Sequence, residues 1–216
     1  MKPIPCSQLL EALHWRYATK VFDPNRKIQA DIWLALEESL VLSASSFGLQ
    51  PYRFLVVSDQ AMRARLLPHA WNQRQVVDAS HFVVFAARTG VTEAEIDDFI
   101  ALLAKARGTS AESAASYRGM MTGMLLSESF KPMAPHWTAR QAYLALGNLL
   151  TSAALLGVDA CPVEGFVPAE FDQALGLSAQ GLTAVVCCAL GYRSAGDKYA
   201  SLPKVRRPKA ELIKVI

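Results

Sequence analysis

Apolar positions along this chain fall into stretches with a helical repeat and shorter stretches that are apolar throughout, and the two kinds partition most of the sequence. Leu9, Leu10, Leu13 and Tyr17 recur at helical spacing behind Ser7, which predicts a first helix capped by that serine. A second helix is expected over about residues 31–42, with Ile32, Leu36 and Leu40 on one face. Residues 53–57 (RFLVV) predict a strand, Ser58 and Asp59 open another helix, and residues 81–87 (HFVVFAA) predict a strand buried on both faces. Thr92 and Glu95 form a capping box for a helix through Ala106, and a further helix is expected over about residues 110–126. The longest helix is predicted over about residues 136–156, stopped by Gly157. A short helix closed by Gly176 and a last strand over residues 182–192 complete the pattern. No repeat or linker interrupts it, so one domain is expected over residues 1–216, with a C-terminal arm from about residue 197.

The apolar run over residues 142–158 is interrupted by Gly147, Asn148, Thr151 and Ser152. It falls short of the roughly 18 uninterrupted apolar residues a membrane span requires, so a buried helix is expected and no membrane partner. Because that helix is apolar nearly all round, it needs cover on several sides, and a second protomer is one source of it. Composition agrees with a globular protein: 52% of residues are hydrophobic and 19% charged. The first 15 residues lack the basic head and apolar run of a secretory leader, which predicts a cytoplasmic location. Of the four cysteines, none has zinc-type pairing, and Cys187 and Cys188 in a strand must face opposite ways. Buried reduced thiols are expected, and no metal site. A net charge of +3 is too small to imply nucleic acid. Lys198, Lys204, Arg206, Arg207 and Lys209 nevertheless crowd the tail. Charge alone leaves a solvated tail and a packed arm equally open, while Pro203 and Pro208 favour an extended arm.

Candidate chemistry narrows by elimination. No GxGxxG, GxxxxGK[ST] or GxSxG occurs, and His14, His69, His81 and His136 are scattered without metal-ligand spacing. What remains is a supply of phosphate donors at both ends, Arg16 and Lys20 with Lys204 and Arg206. Ser45, Ser46 and Gln50 add short polar side chains, and Pro162, Glu164 and Gly165 offer main chain that a flat ring can approach.

Taken in order, RYATKVFDP (16–24), SSFGLQPYRFLVV (45–57), WNQRQVVDASHFVVF (71–85), ARQAYLALGNLL (139–150), LGVDACPVEGF (156–166) and LPKVRRP (202–208) resemble the flavin-dependent nitroreductase family. The likeness runs from about residue 10 to 208 and is poor over residues 90–135. It implies an α+β fold, a mostly antiparallel central sheet wrapped by helices, assembled as an intertwined homodimer with FMN at two interface sites. It also implies NADH or NADPH as co-substrate and a small-molecule acceptor, nitroaromatic, quinone or similarly flat, reduced in a second half-reaction at the same place. The residues matching the family's cofactor contacts are Arg16, Tyr17, Ala18 and Lys20; Ala44, Ser45, Ser46 and Gly48; Asn72 and Gln75; Gln141; Pro162, Val163, Glu164 and Gly165; and Lys204 with Arg206. The backbone at Glu164 and Gly165 is expected near flavin N5, where fixed N–H donors stabilise changing charge. Gln141 is open to either a flavin contact or simple packing. Phe47, Trp71, Gly123 and Met124 are the expected substrate contacts, since flat rings and adaptable methionines suit varied flat ligands.

Three departures stand out. Gly48 replaces a common asparagine, Gln75 a lysine at the pyrimidine edge, and Ala18 a hydroxyl residue near the phosphate. Two other readings remain open: the same fold acting on a pteridine, an enone or oxygen, and a non-catalytic module whose basic arm binds an anion.

Overall fold

A computed structural model describes residues 2–216. Its centre is a four-stranded sheet in the order β1-β2-β4-β3, antiparallel at every pairing, formed by β1 (Tyr52–Val56), β2 (His81–Arg88), β3 (Asp159–Val163) and β4 (Leu182–Gly191). The two central strands are apolar at nearly every position because both faces are covered. Phe82, Val84 and Ala86 face one core with Cys187 and Ala189, while Val83 and Phe85 face the other with Val186, Cys188 and Leu190. The adjacent cysteines therefore lie in different cores, as the two-residue period of a strand requires.

On one face α7 (Ala134–Leu155) packs with α2 (Ala30–Val41), bringing Leu146, Leu149 and Ala153 against Leu36 and Leu40. The other face carries α3 (Gln60–Leu66), the short α4 (Gln75–Asp78) and α8 (Pro168–Leu175), with Leu66 and Phe171 inward. A third cluster joins α5 (Glu93–Arg107) and α6 (Ala115–Leu125) through Ile96, Ile100, Met121 and Leu125, and it reaches the sheet side through Phe47 and Leu49. The Thr92–Glu95 capping box is formed as the sequence predicts. Gly157 and Gly176 both take the left-handed conformation at helix ends.

Four features differ from expectation. The first helix, α1 (Cys6–Trp15), begins behind Pro5 with no side-chain cap, so Ser7 lies inside the first turn. Cys6 is exposed rather than buried, and α1 buries no residue within the chain. The expected helix over residues 110–126 starts as a 3₁₀ turn, Ala111–Ala114, before α6. Finally, β3 is a strand that apolar patterning does not reveal, because Asp159 opens it and Pro162 interrupts its donors. Among the described residues no helix is long and apolar enough to cross a membrane.

Candidate functional site

The segment after α1 is tied to both edges of its surroundings. Ala18 bridges Ala160 of β3, Thr19 N–H donates to the Ala160 oxygen at 3.4 Å, and Phe22 bridges Arg193. Asp197, only 3% exposed, accepts from Lys20 N at 2.8 Å, Val21 N at 3.1 Å, Tyr199 N at 3.0 Å and the Tyr17 hydroxyl at 2.9 Å. One carboxylate thus joins residues 17–21 to the beginning of the tail. Burial, then the Asp197 bond, pushes the Tyr17 phenol up to about 12, so it remains a donor. Arg193 lies against the rings of Trp15 and Tyr17, 4.2 and 4.6 Å from their centres, and pairs with buried Asp159.

Lys204 then closes the arrangement. Its ammonium donates to the main-chain oxygens of Leu13 (2.6 Å) and Arg16 at the end of α1, where carbonyls lack helical partners. Burial first, and the charges of Arg16 and Arg206 next, lower its basicity. The result is a cavity of about 520 Å³ lined by Arg16, Lys20, Lys204 and Arg206 together with Tyr17, Ala18 and Pro162. No carboxylate lines it. Arg16, which lines the cavity, has its Nε buried without a partner. A phosphate suits a lining of this charge, because its oxygens accept several charge-assisted bonds at once.

A second group of predicted residues lies at the end of β3. Main-chain N–H groups of Glu164 and Gly165 have no acceptor among the described residues, whereas Phe166 N donates to Glu164 O at 2.9 Å and Val167 N to His69 O at 2.8 Å. Trp71 and Asn72 both adopt positive φ, 54° and 55°, in the loop before α4. This loop swings the Trp71 ring over Gly165, where a Cβ would stand 2.6 Å from a ring carbon. Any side chain at this position would have to displace that ring. Gln73 Nε2 donates to Gly165 O at 2.7 Å and Ala70 O at 3.2 Å. The Tyr143 hydroxyl of α7 donates to the Glu164 carboxylate. Gln75 is 6% exposed, and the Cys161 thiol has Lys20 Nζ at 3.9 Å. Burial raises that thiol's pKa despite the lysine. Val163 is buried in the strand.

The third group is the turn after α2. Ser46 N donates to Gln141 Oε1 at 2.8 Å, and Gln141 Nε2 donates to Trp137 O of its own helix at 2.9 Å, so this buried amide ties the turn to α7. Ser45 Oγ accepts from Gln50 N at 3.0 Å. Phe47 and Gly48 have φ of 59° and 73°, and Tyr117 fixes Phe47 by donating to its carbonyl at 2.9 Å. Gly48 borders a separate cavity of about 250 Å³ and does not reach the cationic one. Ala44 is exposed beside this turn, and Gly123 and Met124 lie on the exposed face of α6.

The predicted residues therefore gather into three sets within one chain. Sequence reasoning did not single out Asp197, Arg193, Asp159, Gln73 or Tyr143. An acid standing alone before the basic tail was the available signal for Asp197. Asp159, Gln73 and Tyr143 sit in segments that carry other candidate residues, and Arg193 lies just beyond the last predicted strand. Among the described residues no group of three or more His, Cys, Asp or Glu side chains is placed to hold a metal.

Comparison with known proteins identifies the family and the fold. The model of the Nitroreductase family matches residues 13–192. A Staphylococcus aureus protein provisionally named an NAD(P)H nitroreductase is 36% identical over 162 residues, 73% of this chain and 72% of that one. A Staphylococcus haemolyticus protein with the same provisional name is 33% identical over 96% of this chain and 97% of its own. Among solved structures, a provisional NAD(P)H:FMN oxidoreductase from Staphylococcus epidermidis superposes with a TM-score of 0.84 at 20% identity, covering 100% of this chain and 99% of that one. A provisional nitroreductase from Exiguobacterium sibiricum, solved in complex with FMN, superposes at 0.78 and 21% identity over 100% and 99% of the two chains. The α+β architecture is the nitroreductase fold, and the chain belongs to the nitroreductase family.

Proposed function

We propose that this protein is an FMN-dependent oxidoreductase that takes reducing equivalents from NADH or NADPH and passes them to small flat acceptors. The observation that carries the reading is the acid-free cavity with four cations and an orphaned Arg16 N–H. FMN differs from riboflavin by a group of that chemistry. Bound FMN would supply hydride transfer at N5, and the chain's own contribution is binding and orientation. Arg16, Lys20 and Arg206 bind the phosphate, with Lys204 holding the tail in place beside them. The free N–H groups of Glu164 and Gly165 face the reacting edge, and Trp71 with the methionine face of α6 bounds the space for the acceptor.

A homodimer belongs to the same reading. Ser45, Ser46 and Gly48 border no part of the cationic cavity, so a partner's copy of this turn is needed to complete the cofactor's surroundings. Leu10 of α1, Leu34 and Leu42 by α2, and Leu144 of α7 are exposed and apolar, as an interface requires. Nicotinamide and acceptor using one space in turn predicts parallel double-reciprocal plots. The first test is the absorbance spectrum of freshly purified protein, followed by turnover with NADH and NADPH across nitroaromatics, quinones and enones. A colourless protein that neither takes up FMN nor oxidises nicotinamide would favour the non-catalytic module.

A further inference from the structure

The Glu164–Gly165 turn has no regular structure of its own. It follows the last residue of β3, and its two N–H groups have no acceptor among the described residues. Such a turn cannot present donors in a fixed direction unless something outside it holds it, since free backbone loses about 1–2 kcal/mol per residue on being fixed. Two side chains supply that hold from opposite ends. On one side the Tyr143 hydroxyl donates to the Glu164 carboxylate, with Val185 O 3.4 Å away. On the other, Gln73 Nε2 donates to Gly165 O, which fixes the plane of the peptide beyond it. Tyr143 stands on the helix that also holds the Ser46 turn through Gln141, two positions earlier. Its phenol is pushed well above its ordinary pKa, by burial first and then by the Glu164 carboxylate, so it donates throughout the physiological range.

We propose that Tyr143 and Gln73 are positioning residues that clamp the Glu164–Gly165 turn, and that the clamp sets how strongly its free N–H groups favour the reduced cofactor over the oxidised one. The inference rests on the FMN reading above. Preorganised donors stabilise developing charge without reorganisation, and a loosened turn must reorganise before it can do so. Neither residue touches the proposed ligand position itself. Each acts through the turn.

The test separates this inference from the reading beneath it. Flavin-free wild-type protein is titrated with FMN by fluorescence; no binding overturns the FMN reading itself. With binding established, Tyr143→Phe and Gln73→Ala are each expected to lower the relative affinity for reduced over oxidised FMN about tenfold, read as a midpoint potential about 30 mV lower for a two-electron couple. In the flavin-free variants, the Phe166 and Val167 amides should exchange with solvent several-fold faster than in the wild type. Glu164→Gln, which keeps an acceptor for Tyr143, should retain wild-type exchange. Tyr143→Phe added to Glu164→Ala should change nothing further, because the two act through one bond. Wild-type potential and exchange in Tyr143→Phe, or effects that add to those of Glu164→Ala, would overturn the clamp while leaving FMN binding intact.

Discussion

The Lys204 ammonium donates to the main-chain oxygen of Leu13 at 2.6 Å, joining residues 191 apart in the chain. A lysine that the sequence offers as a phosphate ligand thus has a strap's role, with a second bond to the Arg16 oxygen. Lys204→Ala should release the tail from α1 while leaving the sheet untouched. Limited proteolysis should then cut within residues 198–208 faster than in the wild type, and bound FMN should slow the cut less than it does there. An unchanged cleavage pattern would show that the tail is held elsewhere.

Asp197 gathers four donors at one buried carboxylate. Asp197→Ala leaves three main-chain N–H groups and a phenol without an acceptor, which should lower stability by about 2–4 kcal/mol. FMN affinity should fall as well, because the Lys20 end of the cavity loses its anchor. Chemical denaturation and FMN titration of the same preparation measure both losses. Stability within about 0.5 kcal/mol of wild type would contradict the hub role.

Gly165 lies under the Trp71 ring, where a Cβ would stand 2.6 Å from a ring carbon. Gly165→Ala must displace that ring or the turn, so FMN affinity should drop several-fold. Adding Trp71→Ala clears the space and should recover most of the loss. If the double variant binds no better than Gly165→Ala alone, the ring is not what excludes the methyl group.

Much of this arrangement is legible in the sequence, for reasons that separate local signals from distant ones. The capping box at Thr92, the terminators Gly157 and Gly176, and the opposed Cys187 and Cys188 depend only on neighbours in sequence, and all are found as read. The convergence of Arg16, Lys20, Lys204 and Arg206 on one cavity was legible through the family resemblance. By contrast, β3 was hidden by its own Asp159 and Pro162, whose polar and donor-free positions make sense only once Arg193 and β4 are in place. The same limit explains Gln141. Its flavin contact and its packing role look alike in sequence, and only the fold supplies the partners Ser46 and Trp137 that occupy both ends of its amide.

His81 stacks on Trp33 with ring centres 3.8 Å apart, and its pKa falls from 6.5 to about 4, through burial first and then the charges of Arg63 and Lys27. In the unfolded chain it takes up a proton that the folded protein refuses. Its contribution is therefore fully present above pH 6.5 and lost as pH falls from there toward 4. Partial exposure keeps this to about 1–2 kcal/mol. His81→Gln should be less stable than wild type near neutrality and should lose less stability than wild type between those pH values. Identical pH slopes in urea denaturation would remove His81 as a source of acid sensitivity.

The central claim is that the cationic cavity holds the phosphate of FMN, and parallel titrations of flavin-free protein with FMN and riboflavin test it most directly. Two charge-assisted bonds at about 1.5 kcal/mol each correspond to roughly a hundredfold in affinity. FMN should therefore bind at least about a hundredfold more tightly than riboflavin, and Arg16→Ala with Arg206→Ala should remove most of that difference while leaving riboflavin binding nearly unchanged. Equal affinities for the two flavins, or a preference that survives both substitutions, would contradict it.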